Sequence, residues 1–188
     1  MNRSLVRVGV LVLFSVTVFA QGPVAGTATD PLLGMWSLNM EKSTFTQGTA
    51  PTPGTISIRR YSLRPDGFMM TVFVTVTPEG EPTFLQVTWK YNSNDYPMYA
   101  PATLADLSIA GVTPGTMTYR SIDAYTTDLT PKDNAGKITF TGIRRRVVSR
   151  DGKSLIDTSR GTNAEGQKIN NVLVFDRCNM QCIDLTSP

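Results

Sequence analysis

The sequence predicts an all-β protein, a single antiparallel up-and-down β-barrel of about ten strands. Three observations carry that prediction. Apolar and polar residues alternate with a period of about two, the pattern of a half-buried strand. Asp-Gly pairs and other glycine-bearing turns fall between the alternating runs at short intervals, where tight antiparallel reversals need them. No window holds a sustained helical stripe. Many short strands joined by hairpins make a sandwich or a barrel, and closing the sheet removes its exposed edges.

Taken in order, the chain opens on MNRSLVRVGVLVLFSVTVFA. Arg3 and Arg7 precede an apolar run from Val8 to Phe19, and Ala20 ends the segment. That is the pattern of a secretory signal over residues 1–20, with an apolar run too short for a comfortable membrane span. Cleavage after Ala20 leaves 168 of the 188 residues, enough for one domain. It also lowers the formal net charge from +3 to +1, because two arginines leave and no acid does. The expected location is periplasmic or extracellular, with no stable membrane anchor after cleavage. A near-neutral mature chain lacks the clustered positive charge of a nucleic-acid binder.

QGPVAGTATD, residues 21–30, is small, polar and punctuated by Pro and Gly, and reads as a flexible linker. The barrel is expected over 31–177. Its strands fall near 34–39, 55–63, 68–77, 83–91, 104–109, 116–122, 125–130, 137–149, 154–162 and 168–177. RPDGF, PEGEP, DNAGK, RDGK and NAEGQ mark turns between them. The segment from Asp95 to Gly115 is the least regular, and a longer loop or an edge element is expected there. In FMMTVFVTVT, Phe68, Met70, Val72, Val74 and Val76 share one face, and that face is expected to line the interior with Leu85, Val87, Trp89 and Tyr91. Met69 and Met70 would give an adaptable wall, unless they are plain core.

The tail over 178–188 carries CNMQC. In an oxidising compartment Cys178 and Cys182 can close a small disulfide that pins the tail. A metal site would need two more ligands, and the chain has no histidine and no other cysteine. No metal and no cofactor are expected.

Several stretches carry a family resemblance. They are Gly34-x-Trp36 with Leu38, Asn39, Lys42, Ser43 and Phe45, then KYNSNDYP, SIDAYT and the closing run from Ser149 to Arg177. Together they resemble exported bacterial lipocalin-like proteins, small barrels mostly without assigned function. More loosely they resemble the lipocalin and fatty-acid-binding barrels, in which the Gly-x-Trp sits on the first strand and closes the barrel floor. The segment from Ala102 to Thr118 is longer and more apolar than that group implies.

Candidate ligand contacts follow from residue type and phase. Trp36 suits a plug across the barrel end or a ligand contact. In GIRRRVV, a period of two sends Arg145 to the face opposite Arg144 and Arg146. Either an arginine points inward, toward water or a ligand carboxylate, or Gly142 marks a bulge that turns all three to solvent. Arg120 and Arg160 are similar candidates. Tyr61, Tyr91, Tyr119 and Tyr125 could supply hydroxyls, and Val74, Trp89 and Tyr91 an apolar or aromatic wall.

Catalysis has little to work with. Without histidine there is no Ser-His or Cys-His dyad of the usual kind. Asp95, Asp106, Asp123, Asp128 and Asp157 are scattered, and no glycine loop suits a phosphate. The expected function is therefore binding, not catalysis: a small, mostly apolar ligand in the lumen, with a carboxylate facing an inward arginine. The alternative is a filled barrel that acts through its outer loops, as an envelope interaction module or an inhibitor. A filled barrel has no cavity and no inward arginine. A binding barrel has both.

Overall fold

The computed structural model describes residues 23–100 and 115–179. The expected leader at 1–20, the expected strand at 104–109 and Cys182 lie outside the described residues. Within them the strands are β1 (Gly34–Thr44), β2 (Ile56–Leu63), β3 (Met69–Val76), β4 (Pro82–Trp89), β5 (Asp95–Tyr99), β6 (Thr116–Ser121), β7 (Thr126–Lys132), β8 (Phe140–Val148), β9 (Ser154–Asn163) and β10 (Lys168–Cys178). Each pairs antiparallel with its neighbours in the chain, and β1 pairs with β10 to close the barrel. The segment expected to be irregular thus supplies β5. That strand is held by few pairs, Gln86 and Val87 of β4 on one side and Thr116 to Thr118 of β6 on the other.

Directly opposed residues share a face, so the register sorts the interior from the exterior. The rows Arg59–Phe73–Leu85, Tyr61–Thr71–Val87 and Leu63–Met69–Trp89 run across β2, β3 and β4. Met69, Thr71, Val87 and Trp89 are fully buried, which makes this the inner face. The expected inner face of β3 is therefore the outer one. Val74 opposes Ile58 and Phe84 on the outside. The inner face of β4 is the expected one.

The barrel has a packed half and a hollow half. At the end where β1 begins, Trp36, Tyr61, Met69, Trp89, Tyr119, Leu155 and Phe175 fill the interior. Trp89 stacks on Tyr119 with ring centroids 3.9 Å apart and meets Tyr91 edge-on at 4.7 Å. Its indole N–H donates to Thr71 Oγ1 at 2.8 Å, so burial leaves that donor satisfied. Residues 23–33 are not a free linker. They fold back under this end in hydrogen-bonded turns organised by Asp30, which is 4% exposed. Its carboxylate accepts from the backbone N–H of Gly26 and Leu32 and from the Tyr91 hydroxyl.

Trp36 closes this floor. Its indole N–H donates to the Leu32 carbonyl at 2.9 Å, and Arg177 lies over its ring at 4.2 Å. The same guanidinium donates to the carbonyls of Pro31, Leu33 and Gly152. Gly34 makes room for it. Its φ is +120°, and a Cβ there would stand 2.7 Å from Arg177 Nη1.

The floor makes a testable statement about tyrosine. Burial pushes the hydroxyls of Tyr61, Tyr91 and Tyr119 above the ordinary tyrosine value. In an alkaline absorbance titration, these three of the six tyrosines should ionise only with unfolding. Six tyrosines titrating together in the folded protein would contradict the packed floor.

Candidate functional site

The hollow half encloses a cavity of about 220 Å³. Its walls are inner-face residues of most strands: Phe73, Leu85, Met98, Met117, Leu129 and Leu173 supply the apolar part. Arg59, Arg144, Arg146, Asp157 and Ser159 supply the polar part, between the cavity and the packed floor.

Cross-strand register puts these polar groups together. Arg146 opposes both Asp157 and Thr127, and Arg144 opposes Ser159. Asp157 is the only acid among the five charged residues recorded along the cavity, of which Arg145 turns its guanidinium outward to Asp128, and its oxygens are already engaged. Arg146 Nε donates to Oδ1 at 3.0 Å and Arg146 Nη2 to Oδ2 at 3.4 Å, while Arg59 Nη1 pairs closely with Oδ2. Arg59 is further held by stacking on Phe175 at 3.9 Å and by Phe73 at 5.3 Å. Arg146 is 2% exposed and lies over the Tyr61 ring at 5.0 Å.

The electrostatics follow from three cations around one anion. Burial works against an ionised Asp157, but Arg146 and Arg59 override it and hold the carboxyl well below its usual range. Burial also opposes the charge on Arg146, and Asp157 more than offsets it, so the guanidinium binds its proton more tightly than usual. Arg144 shows the opposite balance. Burial lowers its pKa, and distant Asp157 does not make up the loss. Among the described residues Arg144 has no ion pair. Its recorded contact is the Phe140 ring at 5.7 Å. Arginine keeps its proton at any ordinary pH, so the inward-facing Arg59, Arg144, Arg146 and Asp157 together carry a net charge of +2. Two buried polar atoms beside this cluster, Arg146 Nη1 and Tyr61 Oη, have no hydrogen-bond partner among the described residues.

The sequence candidates divide cleanly. Trp36, Tyr61, Trp89, Tyr91, Arg144 and Arg146 face inward, although Trp36, Tyr61, Trp89 and Tyr91 belong to the floor and do not line the cavity. Val74, Arg120 and Arg160 face outward and are not lumen residues. Arg120 is exposed and pairs with Asp128 at 2.9 Å, which also takes Arg145 at 2.7 Å. Arg160 donates to Asn170 on the outer surface. Tyr125 lies under Arg150 at 4.1 Å, at the floor end. Gly142 does sit at an irregularity, but the arginines beyond it alternate: Arg144 and Arg146 point in and Arg145 points out. Sequence reasoning missed Arg59, Arg177, Phe73, Met98 and Met117, and treated Asp157 as one scattered acid among several.

No family model and no curated protein matches the chain. Two solved structures are similar to it. One is a selenomethionine derivative of a biogenic amine-binding protein, at 12% identity and a TM-score of 0.40, covering 86% of this chain and 72% of that one. The other is the tryptamine complex of the amine binding protein of Rhodnius prolixus, at 12% identity and a TM-score of 0.39, covering 85% and 70%. The architecture here is a closed, ten-stranded antiparallel barrel.

Proposed function

We propose that this chain is an exported binding protein that holds a small apolar carboxylate in its lumen. The carrying observation is Arg144, a cation turned into the cavity without an ion pair among the described residues. A carboxylate there would return the charge that Asp157 cannot supply. Hydrogen bonds to charged groups are worth about 1.5–3 kcal/mol each. Apolar walls add the transfer of ligand surface from water, about 25 cal/mol per Å² before association costs. A cationic amine would meet a net positive lumen and is disfavoured on the same grounds.

Volume limits the ligand. A dry cavity of about 150 Å³ accommodates benzene. The 220 Å³ found here suits one or two fused rings with an acid group, and falls short of a long fatty-acid chain. The cavity and the inward arginines favour this reading over a filled barrel.

Quenching of tryptophan emission by 1-naphthoate tests it. Trp89 stacks within the floor next to the polar cluster and should report occupancy. Saturable binding is expected for 1-naphthoate and much weaker binding for neutral 1-naphthalenemethanol. Arg144→Gln should weaken the acid about tenfold to a hundredfold, from one lost charged hydrogen bond, and leave the alcohol unchanged. Equal affinities for acid and alcohol would refute a carboxylate site.

Export and the tail disulfide belong to the same proposal, supported by the leader-like residues 1–20 and by Cys178 and Cys182. The mature protein should begin at Gln21, and neither thiol should alkylate before reduction. A thiol that reacts in the unreduced exported protein would remove the disulfide from the proposal.

A further inference from the structure

The barrel wall is not continuous between β7 and β8. The ladder pairs Thr126–Asp128 with Arg145–Val147 and then stops. It resumes only near the turn, at Lys132 opposite Ile138. Between these points residues 129–131 of β7 stand opposite residues 139–144, so one strand has twice the length of the other to accommodate. The recorded bond inside this interval is Thr139 N–H to the Pro131 carbonyl, and Pro131 has no N–H to return.

The cause lies on the other side of β8. Residues Phe140 to Arg144 stay in register with β9, and Gly142 sits directly opposite Gly161. The two backbones approach so closely that a Cβ on Gly142 would lie 2.4 Å from the Arg160 carbonyl oxygen, and one on Gly161 would lie 2.1 Å from that of Thr141. Gly142 also has φ +135°. This glycine pair lets β8 follow β9 inward and leave β7, as a bulge bends a strand away from its partner.

An outer hollow of about 300 Å³ opens over the break, lined by Ser93, Thr118, Arg120, Thr130 and Gly142 among others. Leu129, Arg144 and Arg145 line both this hollow and the lumen. The charges on its rim are Arg120 and Arg145 against Asp128, with Arg144 behind them. An approaching anion therefore meets a net positive entrance whose inner wall is the arginine facing the cavity.

We propose that the anionic ligand enters and leaves the lumen sideways, through this seam between β7 and β8, with Arg144 passing it from the outer hollow to the cavity. The inference rests on the carboxylate-binding reading above. It concerns the route, so it predicts rates and not only affinity.

Stopped-flow quenching with 1-naphthoate tests it. A disulfide across the seam, from Thr130→Cys with Ile143→Cys, should slow association and dissociation together by tenfold or more and leave the Kd unchanged. Reduction should restore both rates, with reduced wild type as the reference. Unchanged rates in the bridged protein would overturn the lateral route while leaving the binding site intact. If the bridge fails to form, two surface variants decide the matter. Arg120→Glu, at the outer hollow, should lower the association rate severalfold at low salt. Lys168→Glu, at the β9–β10 turn on the far rim, should not. Equal effects of the two, or none from Arg120→Glu, would also overturn the route. A wild-type protein that fails to bind 1-naphthoate would remove the site and the route together.

Discussion

Replacing Asp157 with asparagine should cost this protein about 3–5 kcal/mol, the usual loss when one partner of a buried ion pair is removed. The reason is charge and not volume, because asparagine has nearly the same shape. Asp157 answers Arg59 and Arg146 at once. Without it three guanidiniums face one another around the cavity with no anion between them. Domains of this size are stable by about 5–15 kcal/mol, so the variant would be marginal. Urea denaturation checks the size of the effect, and a loss below about 1 kcal/mol would mean that solvent in the cavity, not Asp157, screens the arginines. The variant should also be rescued more strongly than wild type by 1-naphthoate, which brings the missing carboxylate.

The pH dependence of that contribution has a definite sign. The folded pKa of Asp157 is depressed, so its stabilisation is complete above the unfolded value of about 3.9. It falls away as pH drops below that value toward the lower folded one. Wild type and Asp157→Asn should therefore differ by a constant amount near neutrality and converge only in strong acid.

Much of this arrangement is legible in the sequence once strand parity is applied to every residue. Tyr119 is apolar-faced and buried, so its neighbour Arg120 must face out. Leu155 is buried, so Asp157 and Ser159 follow it inward and Arg160 does not. Tyr61 carries Arg59 inward by the same rule. Candidates chosen for residue type alone, such as Arg120 and Arg160, ignored their own neighbours. Parity fails where both faces are apolar. In β3 the inner Met69, Thr71 and Phe73 compete with the outer Met70, Val72 and Val74, and the outer set is the more hydrophobic. Only pairing with β2 and β4 decides the phase. The role of Arg177 and the strap over 23–33 had no periodic signal at all. They are single long-range contacts, invisible to any pattern confined to one strand.

Trp36→Ala should be the other severe variant, with a loss of about 3–5 kcal/mol typical of a buried tryptophan truncated to alanine. Trp36 is completely buried, and its removal empties the centre of the floor. It also strands the Leu32 carbonyl that accepts its indole N–H and takes away the ring beneath Arg177. The strap over 23–33 would then lose its bond from the indole N–H while keeping those from Arg177 and from the Tyr91 hydroxyl. The cavity lies in the other half of the barrel and is walled by none of these groups. At low temperature, where the variant is still folded, its affinity for 1-naphthoate should stay within about threefold of wild type, although its thermal midpoint falls steeply. Trp36→Ala and Arg144→Gln thus exchange effects, one losing stability with binding kept and the other losing binding with stability kept. If Trp36→Ala instead abolished binding in the folded protein, the floor and the lumen would be one cooperative unit, and the tryptophan at the start of β1 would belong to the ligand site after all.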